Sequence, residues 1–215
     1  MAPIQPSASI VANDGPAGGN RIHMSEQKIR RYALPLCHQR RVYVDIGADT
    51  GTTCHPFIGK FETIHAWEPN PVSYAQLTQT PGAHYHAEAL SNSAGTARLI
   101  IPKHTHRPEH GSIDATRQHS WDVTDTEQYT VETRTLDSYA LQQVDLIKID
   151  VEQHERAVIQ GAMATIERCR PVIMIENKRG ENLAIIGDLA HLGYGHRQTK
   201  SEIIWYPRRN GSTGH

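Results

Sequence analysis

The side chains best equipped for chemistry stand where short apolar runs stop. Val42-Tyr43-Val44 leads to Asp45, and Ile46-Gly47-Ala48-Asp49-Thr50-Gly51 follows. Thr63-Ile64-His65-Ala66-Trp67 ends at Glu68 and is broken by Pro69-Asn70-Pro71. Val144 to Ile149 ends at Asp150, with Lys148 two residues earlier and so on the same strand face. Pro171 to Ile175 ends at Glu176, with Asn177 next. Carboxylates at such ends line the crevice of a parallel sheet, where small ligands bind. A carboxylate there can accept hydroxyl hydrogen bonds, hold a cation or take a proton.

The loop after Asp45 narrows the ligand. It lacks the middle glycine of G-x-G-x-x-G, which disfavours a pyrophosphate and hence a nicotinamide oxidoreductase. Asp49 adds a negative charge where a dinucleotide carries its own. A cationic, phosphate-free cofactor suits this loop better. S-adenosylmethionine (SAM) is one, with a sulfonium, an ammonium, a single carboxylate and an adenosine. Asp45 and the amides of Gly47, Ala48, Asp49, Thr50, Gly51 and Thr52 are expected around its amino-acid end. Glu68 follows Asp45 by 23 positions, about one strand-helix-strand unit, which puts it on the two ribose hydroxyls. Pro69 and Asn70 flank it, Glu88 and Ala89 face the adenine, and Asp150 borders the same cleft. Asp45 as an ordinary helix N-cap and Glu68 as a surface charge are the bland alternatives.

Asp45-Ile46-Gly47-Ala48, Trp67-Glu68-Pro69-Asn70-Pro71, Leu136-Asp137 and Ile147-Lys148-Ile149-Asp150-Val151-Glu152, with Glu155 and Gly161-Ala162, occur in one order and spacing. In these motifs, from about Arg41 to Asn177, the chain resembles the FkbM-type methyltransferases. The resemblance implies a Rossmann-like class I methyltransferase fold, SAM as cofactor, and transfer to a hydroxyl of a sugar or small natural-product scaffold. An N-methyltransferase on a nucleotide or peptide, and a nucleoside-binding protein without catalysis, are the rivals. Asp150, Lys148 and Glu176 are the candidate catalytic residues, Asp150 orienting or deprotonating the hydroxyl. The family commonly has asparagine at Asp49 and glycine at Gln153. An Asp150, Glu176 and Asn177 set could hold magnesium. Structural hydrogen bonding is the preferred reading, and no metal is expected. Glu152 and Glu155 read equally as acids favoured at a helix N-terminus.

Strand and helix must alternate to set these ends side by side. The patterns predict strands over 42–46, 63–68, 83–90, 144–150 and 171–176, and helices over 49–60, 71–78, 152–168 and 181–192. A short helix is expected from Ser25. Thr96–Ile101 and Tyr129–Thr135 read as an antiparallel pair. Tyr194–Thr199 and Glu202–Tyr206 are joined too tightly for a crossover helix and form a second hairpin. The expected class is therefore α/β: a mostly parallel sheet, helices on both faces and a C-terminal antiparallel hairpin. Between the first pair lies a polar segment, Pro102 to Asp125. His104, His106, His110 and His119 in it match no zinc spacing. It reads as a substrate cover, with Gly111-Ser112, Arg117 and Trp121 toward the acceptor.

The totals bound the rest. In 215 residues, 22 Lys and Arg balance 23 Asp and Glu, so bulk charge implies no nucleic-acid partner. One domain over residues 25–207 is expected, with flexible tails at 1–24 and 208–215. Cys37, Cys54 and Cys169 form no framework, which fits a reducing cytoplasm. No apolar run is long enough for a membrane helix. The partner expected is a small hydroxyl-bearing molecule.

Overall fold

The computed structural model describes residues 24–102, 126–176 and 183–208. A seven-stranded sheet organises them, in the order β3-β2-β1-β7-β8-β10-β9. Its strands are β1 Val42–Ile46, β2 Thr63–Trp67, β3 His84–His86, β7 Leu146–Ile149, β8 Val172–Glu176, β9 Tyr194–Gln198 and β10 Glu202–Pro207. The first five run parallel, and β10 pairs antiparallel with both β8 and β9. A second sheet, in the order β4-β6-β5, joins β4 Ala89–Leu90, β5 Gly95–Pro102 and β6 Thr126–Arg134.

Alternation along each central strand builds a core on each face. Val44, Ile46, Ile147, Ile149, Ile173 and Ile175 meet Val158, Ile159 and Ile166 on one side. Tyr43, Leu146, Val172 and Met174 meet Ile29, Phe57 and Leu77 on the other. Each such aliphatic side chain, fully buried, contributes roughly 1.5–3 kcal/mol. Both faces are covered by packed helices and turns, the 3-10 turn at Phe57 among them. Here α2 Pro71–Leu77, α3 Glu155–Gln160, α4 Met163–Cys169 and α5 Leu183–His191 serve. No helix among the described residues is long and apolar enough to cross a membrane.

Three expectations need correction. The helix expected over 49–60 is only a 3-10 turn, His55–Phe57; Pro56 starts it and Gly59, at φ +74°, ends it. The strand expected over 83–90 is two strands, because the chain leaves the large sheet after His86 and joins β6 at Ala89. The long helix expected over 152–168 starts late and breaks. A Cβ on Gly161 would lie 2.0 Å from the Ser91 carbonyl oxygen, so that approach fixes the break. The Asp137 carboxylate then accepts from the Ala164 and Thr165 amides and starts α4 afresh. At the N-terminus, α1 Met24–Lys28 continues as a π-turn, Ile29–Ala33. Asn177 and the polar segment after Pro102, including its histidines, Ser112, Arg117 and Trp121, lie outside the described residues.

At the free edge of the large sheet, His65 stacks between His84 and Trp67, and His86 stacks on Trp67 at 4.3 Å. His65 Nδ1 and His86 Nε2 lie 3.2 Å apart. Burial, with its histidine neighbours, pushes His65 down to about 4. An unfolded histidine titrates near 6.5, so this side chain favours the fold above that pH and loses its contribution as pH falls toward 4. In thermal melts from pH 7.5 to 4, His65→Phe keeps the stack, and its melting temperature should fall less with acid than that of the wild type.

Candidate functional site

Four strand ends meet on one edge of the sheet. β1 and β7 are neighbours in register, with Asp45 opposite Lys148. The Lys148 ammonium, 6% exposed, donates to the Gly47 carbonyl at 2.9 Å. It also lies 3.3 Å from Asp45 Oδ1 and 3.6 Å from Asp150 Oδ2. Burial alone would lower its pKa, but Asp45 and then Asp150 more than offset this and raise it. Lys148 is therefore a fixed cation that positions three groups and has no free pair to act as a base.

Asp45 is fully buried and accepts from Thr53 Oγ1 at 2.5 Å. Its other oxygen, Oδ1, faces Lys148 without a hydrogen bond among the described residues. The expected ring of loop amides shrinks. Gly47 and Ala48 both donate to the Trp67 carbonyl at 3.0 Å, and Gly51 donates to Ala48. The Asp49 amide goes to Glu68 Oε2 at 2.8 Å. Within the described residues, the amides of Thr50 and Thr52 make no hydrogen bond. Gly47 is needed as glycine: its φ is +76° and a Cβ would meet the Asp150 carbonyl oxygen at 1.9 Å.

Glu68, 8% exposed, is held at both oxygens, by the Asp49 amide and by the Asn70 amide at 2.8 Å. Burial raises its pKa to about 7, against the pull of those two amides. A carboxylate has about four acceptor sites, so a lone pair on each oxygen stays open for a vicinal diol. Asn70 itself is buried and caps α2 through the Val72 amide at 3.0 Å. The Asp49 carboxylate accepts from Ser73 Oγ at 2.6 Å, an internal partner that the aspartate-for-asparagine departure did not foretell. Glu88 pairs with Arg134 at 3.6 Å, and Ala89 is buried in β4.

At the ends of β7 and β8, Asp150, Glu152 and Glu176 bring carboxylate oxygens within 4.8 Å of one another, a group that could hold a metal ion. Glu152 was assigned from sequence to a helix start. It sits instead in a turn where Glu152 and Gln153 both have positive φ, +53° and +76°. That explains a glycine preference at Gln153, since a side chain is strained there. A small space of about 20 Å³ is lined by Ile29, Lys148, Asp150, Glu176 and Glu202, among others. Thr53, Ser73 and the His154–Ser91 hydrogen bond (2.9 Å) were missed by sequence reasoning. No motif marks them; only the fold brings them into contact.

An acidic strand-end crevice, a glycine turn against β7 and a buried carboxylate just past β2 are what a Rossmann-like fold with a small-molecule crevice presents. The model of the methyltransferase FkbM domain matches residues 45–195, and the chain belongs to that family. Among solved structures, the chain is similar to a methyltransferase FkbM from Methylobacillus flagellatus, with 16% identity and a TM-score of 0.55. That match covers 78% of this chain and 44% of the other, so the chain spans under half the length of that relative. It is also similar to an rRNA methylase from Streptococcus thermophilus, at 9% identity, TM-score 0.51, over 87% and 96% of the two chains. A magnesium protoporphyrin IX methyltransferase from Synechocystis with bound SAM aligns at TM-score 0.47 and 9% identity, over 90% and 87%. At these identities the likeness concerns the fold. No functionally curated protein matches the chain.

Two stability changes follow. Lys148→Met leaves the Asp45 carboxylate buried without its cation and should cost about 3–5 kcal/mol in denaturant unfolding. Adding Asp45→Asn should recover part of that loss, as a double-mutant cycle would register. Gln153→Gly removes left-handed strain and should raise stability by about 1 kcal/mol, a few degrees in melting temperature.

Proposed function

We propose that this methyltransferase uses SAM to methylate a hydroxyl on a sugar or other small natural-product scaffold. The observation that carries the cofactor assignment is Glu68: a buried carboxylate at the end of β2, fixed by two backbone amides, with lone pairs left for a ribose diol. The donor set fits. Acids at Glu68, Asp150 and Glu176 face a cationic ligand, while the Thr50 and Thr52 amides suit its one carboxylate. When bound, SAM supplies an electrophilic methyl on a sulfonium.

The chain's own work is alignment and proton removal. Asp150, at the strand end beside Gly47, accepts the hydrogen bond of the acceptor hydroxyl and takes its proton as the new C–O bond forms. Lys148, 3.6 Å away, holds that carboxylate in place. Glu176 lies close enough to share the acceptor's remaining hydroxyls. A metal is not required in this reading, because Lys148 already supplies positive charge beside Asp150. The choice of a hydroxyl over an amine rests on the family resemblance and on this carboxylate at the transfer point. Three free cysteines support a cytoplasmic setting.

The cofactor assignment is tested with S-adenosylhomocysteine, the demethylated product, by calorimetry. Wild-type affinity should be micromolar at pH 8 and should weaken as pH falls through about 7, where Glu68 takes a proton and loses acceptor capacity. Glu68→Gln should bind at least about tenfold more weakly at pH 8 and lose most of the pH dependence. Equal affinity in that variant would remove Glu68 from the ribose site.

A further inference from the structure

A cavity of about 590 Å³ opens between α2, the end of β3 and β6, the middle strand of the small sheet. Its lining lacks Asp150 and Glu68; it shares only Pro69 and Glu88 with the residues that the sequence reading sets beside the cofactor. Tyr74, Tyr85 and Tyr129 line it, with Glu88, Glu132 and Thr130. Its volume is that of an ordinary small-molecule site and far exceeds a trapped water.

The chemistry of the lining selects the occupant. Each tyrosine hydroxyl already donates inside the protein: Tyr74 to the Tyr85 carbonyl at 3.4 Å, Tyr85 to the Thr80 carbonyl, and Tyr129 to Glu127 at 2.6 Å. What these side chains have left to offer is ring surface and phenolic oxygens that can still accept, as from an ammonium. No lysine or arginine lines the cavity among the described residues. His86, also at its wall, is held below its usual range by burial and adds no charge at neutral pH. The two carboxylates share one nearby cation, Arg134, which is half exposed. It lies 3.6 Å from Glu88 and 3.9 Å from Glu132, ion-pair distances beyond hydrogen-bond length. Both acids therefore keep lone pairs for a stronger donor.

We infer that this cavity is a second ligand site, taking a small ring compound that carries a protonated amine. The ammonium sits between Glu88 and Glu132, and the ring lies on tyrosine surface. Carboxylates and aromatic faces are the two groups that attract an organic cation, and a polyol without charge would gain only the hydrogen bonds. Arg134, at the surface, swings toward water as the ammonium enters. The site needs no cofactor to form, because β6 and α2 are held by their own hydrogen bonds.

Calorimetric titration at pH 7, without cofactor, tests the inference with two probes of one shape. These are trans-4-aminocyclohexanol, cationic at this pH, and neutral cyclohexane-1,4-diol. The amine should bind saturably and at least about fivefold more tightly than the diol, a difference of about 1 kcal/mol. Glu132→Gln, at a position whose side chain is 68% exposed, should cost the amine about fivefold while its melting curve matches wild type. Absence of saturable amine binding, equal binding of the diol, or undiminished binding to Glu132→Gln would each overturn the assignment. Because S-adenosylhomocysteine is absent, failure here leaves the SAM reading untouched.

Discussion

One buried ammonium holds the working edge of this protein together. Lys148 lies in a strand interior, where a lysine is tolerated only with partners. It finds a carboxylate on the neighbouring strand, a backbone carbonyl at the glycine turn and a carboxylate at its own strand's end. Removing two charges from water costs several kcal/mol per ion, and the geometry must repay it. The repayment ties β1 to β7 where the sheet opens. It also fixes the turn of Gly47 relative to Asp150, so the glycine loop and the end of β7 are held together.

Backbone groups do most of the remaining construction. The Trp67 carbonyl collects two amides from the glycine loop, and Glu68 returns the favour by accepting from Asp49 and Asn70. The end of β2 and the loop after β1 are thus stitched reciprocally. Asp49 extends the stitch to Ser73 on α2. Most loop amides serve the protein, and ligand recognition falls to the few groups the stitching leaves open. Close approach makes this possible: a Cβ at Gly47 would occupy the Asp150 carbonyl. The turn after Asp150 shows the reverse situation, two side-chain-bearing residues in left-handed backbone, with the carboxylate of Glu155 accepting from the Gln153 amide at 3.1 Å.

Much of this was legible because strand ends and glycines leave local marks. Apolar runs ending in Asp45, Glu68, Asp150 and Glu176 gave the parallel sheet and the edge on which chemistry gathers. The short link between β9 and β10 gave the antiparallel hairpin. What stayed hidden is what depends on contacts distant in sequence. Periodicity over residues 152–168 reads as one helix, since nothing local announces that Ser91 will press against Gly161. The run 83–90 reads as one strand, because pairing with β6 is decided about 40 residues later. Asp45 reads as a ligand contact because strand-end acids often are. Its partner Lys148 is a hundred residues away, and only the β1–β7 register shows that the pair neutralises itself.

The central claim is that Glu68 holds the ribose of SAM at the end of β2, with Asp150 at the transfer point. A crystal structure of the S-adenosylhomocysteine complex tests it most directly. The account predicts both ribose hydroxyls within hydrogen-bond distance of Glu68, the amino-acid carboxylate at the Thr50 and Thr52 amides, and the sulfur facing Asp150. A nucleoside bound away from Glu68, or with its sulfur turned from Asp150, would contradict it.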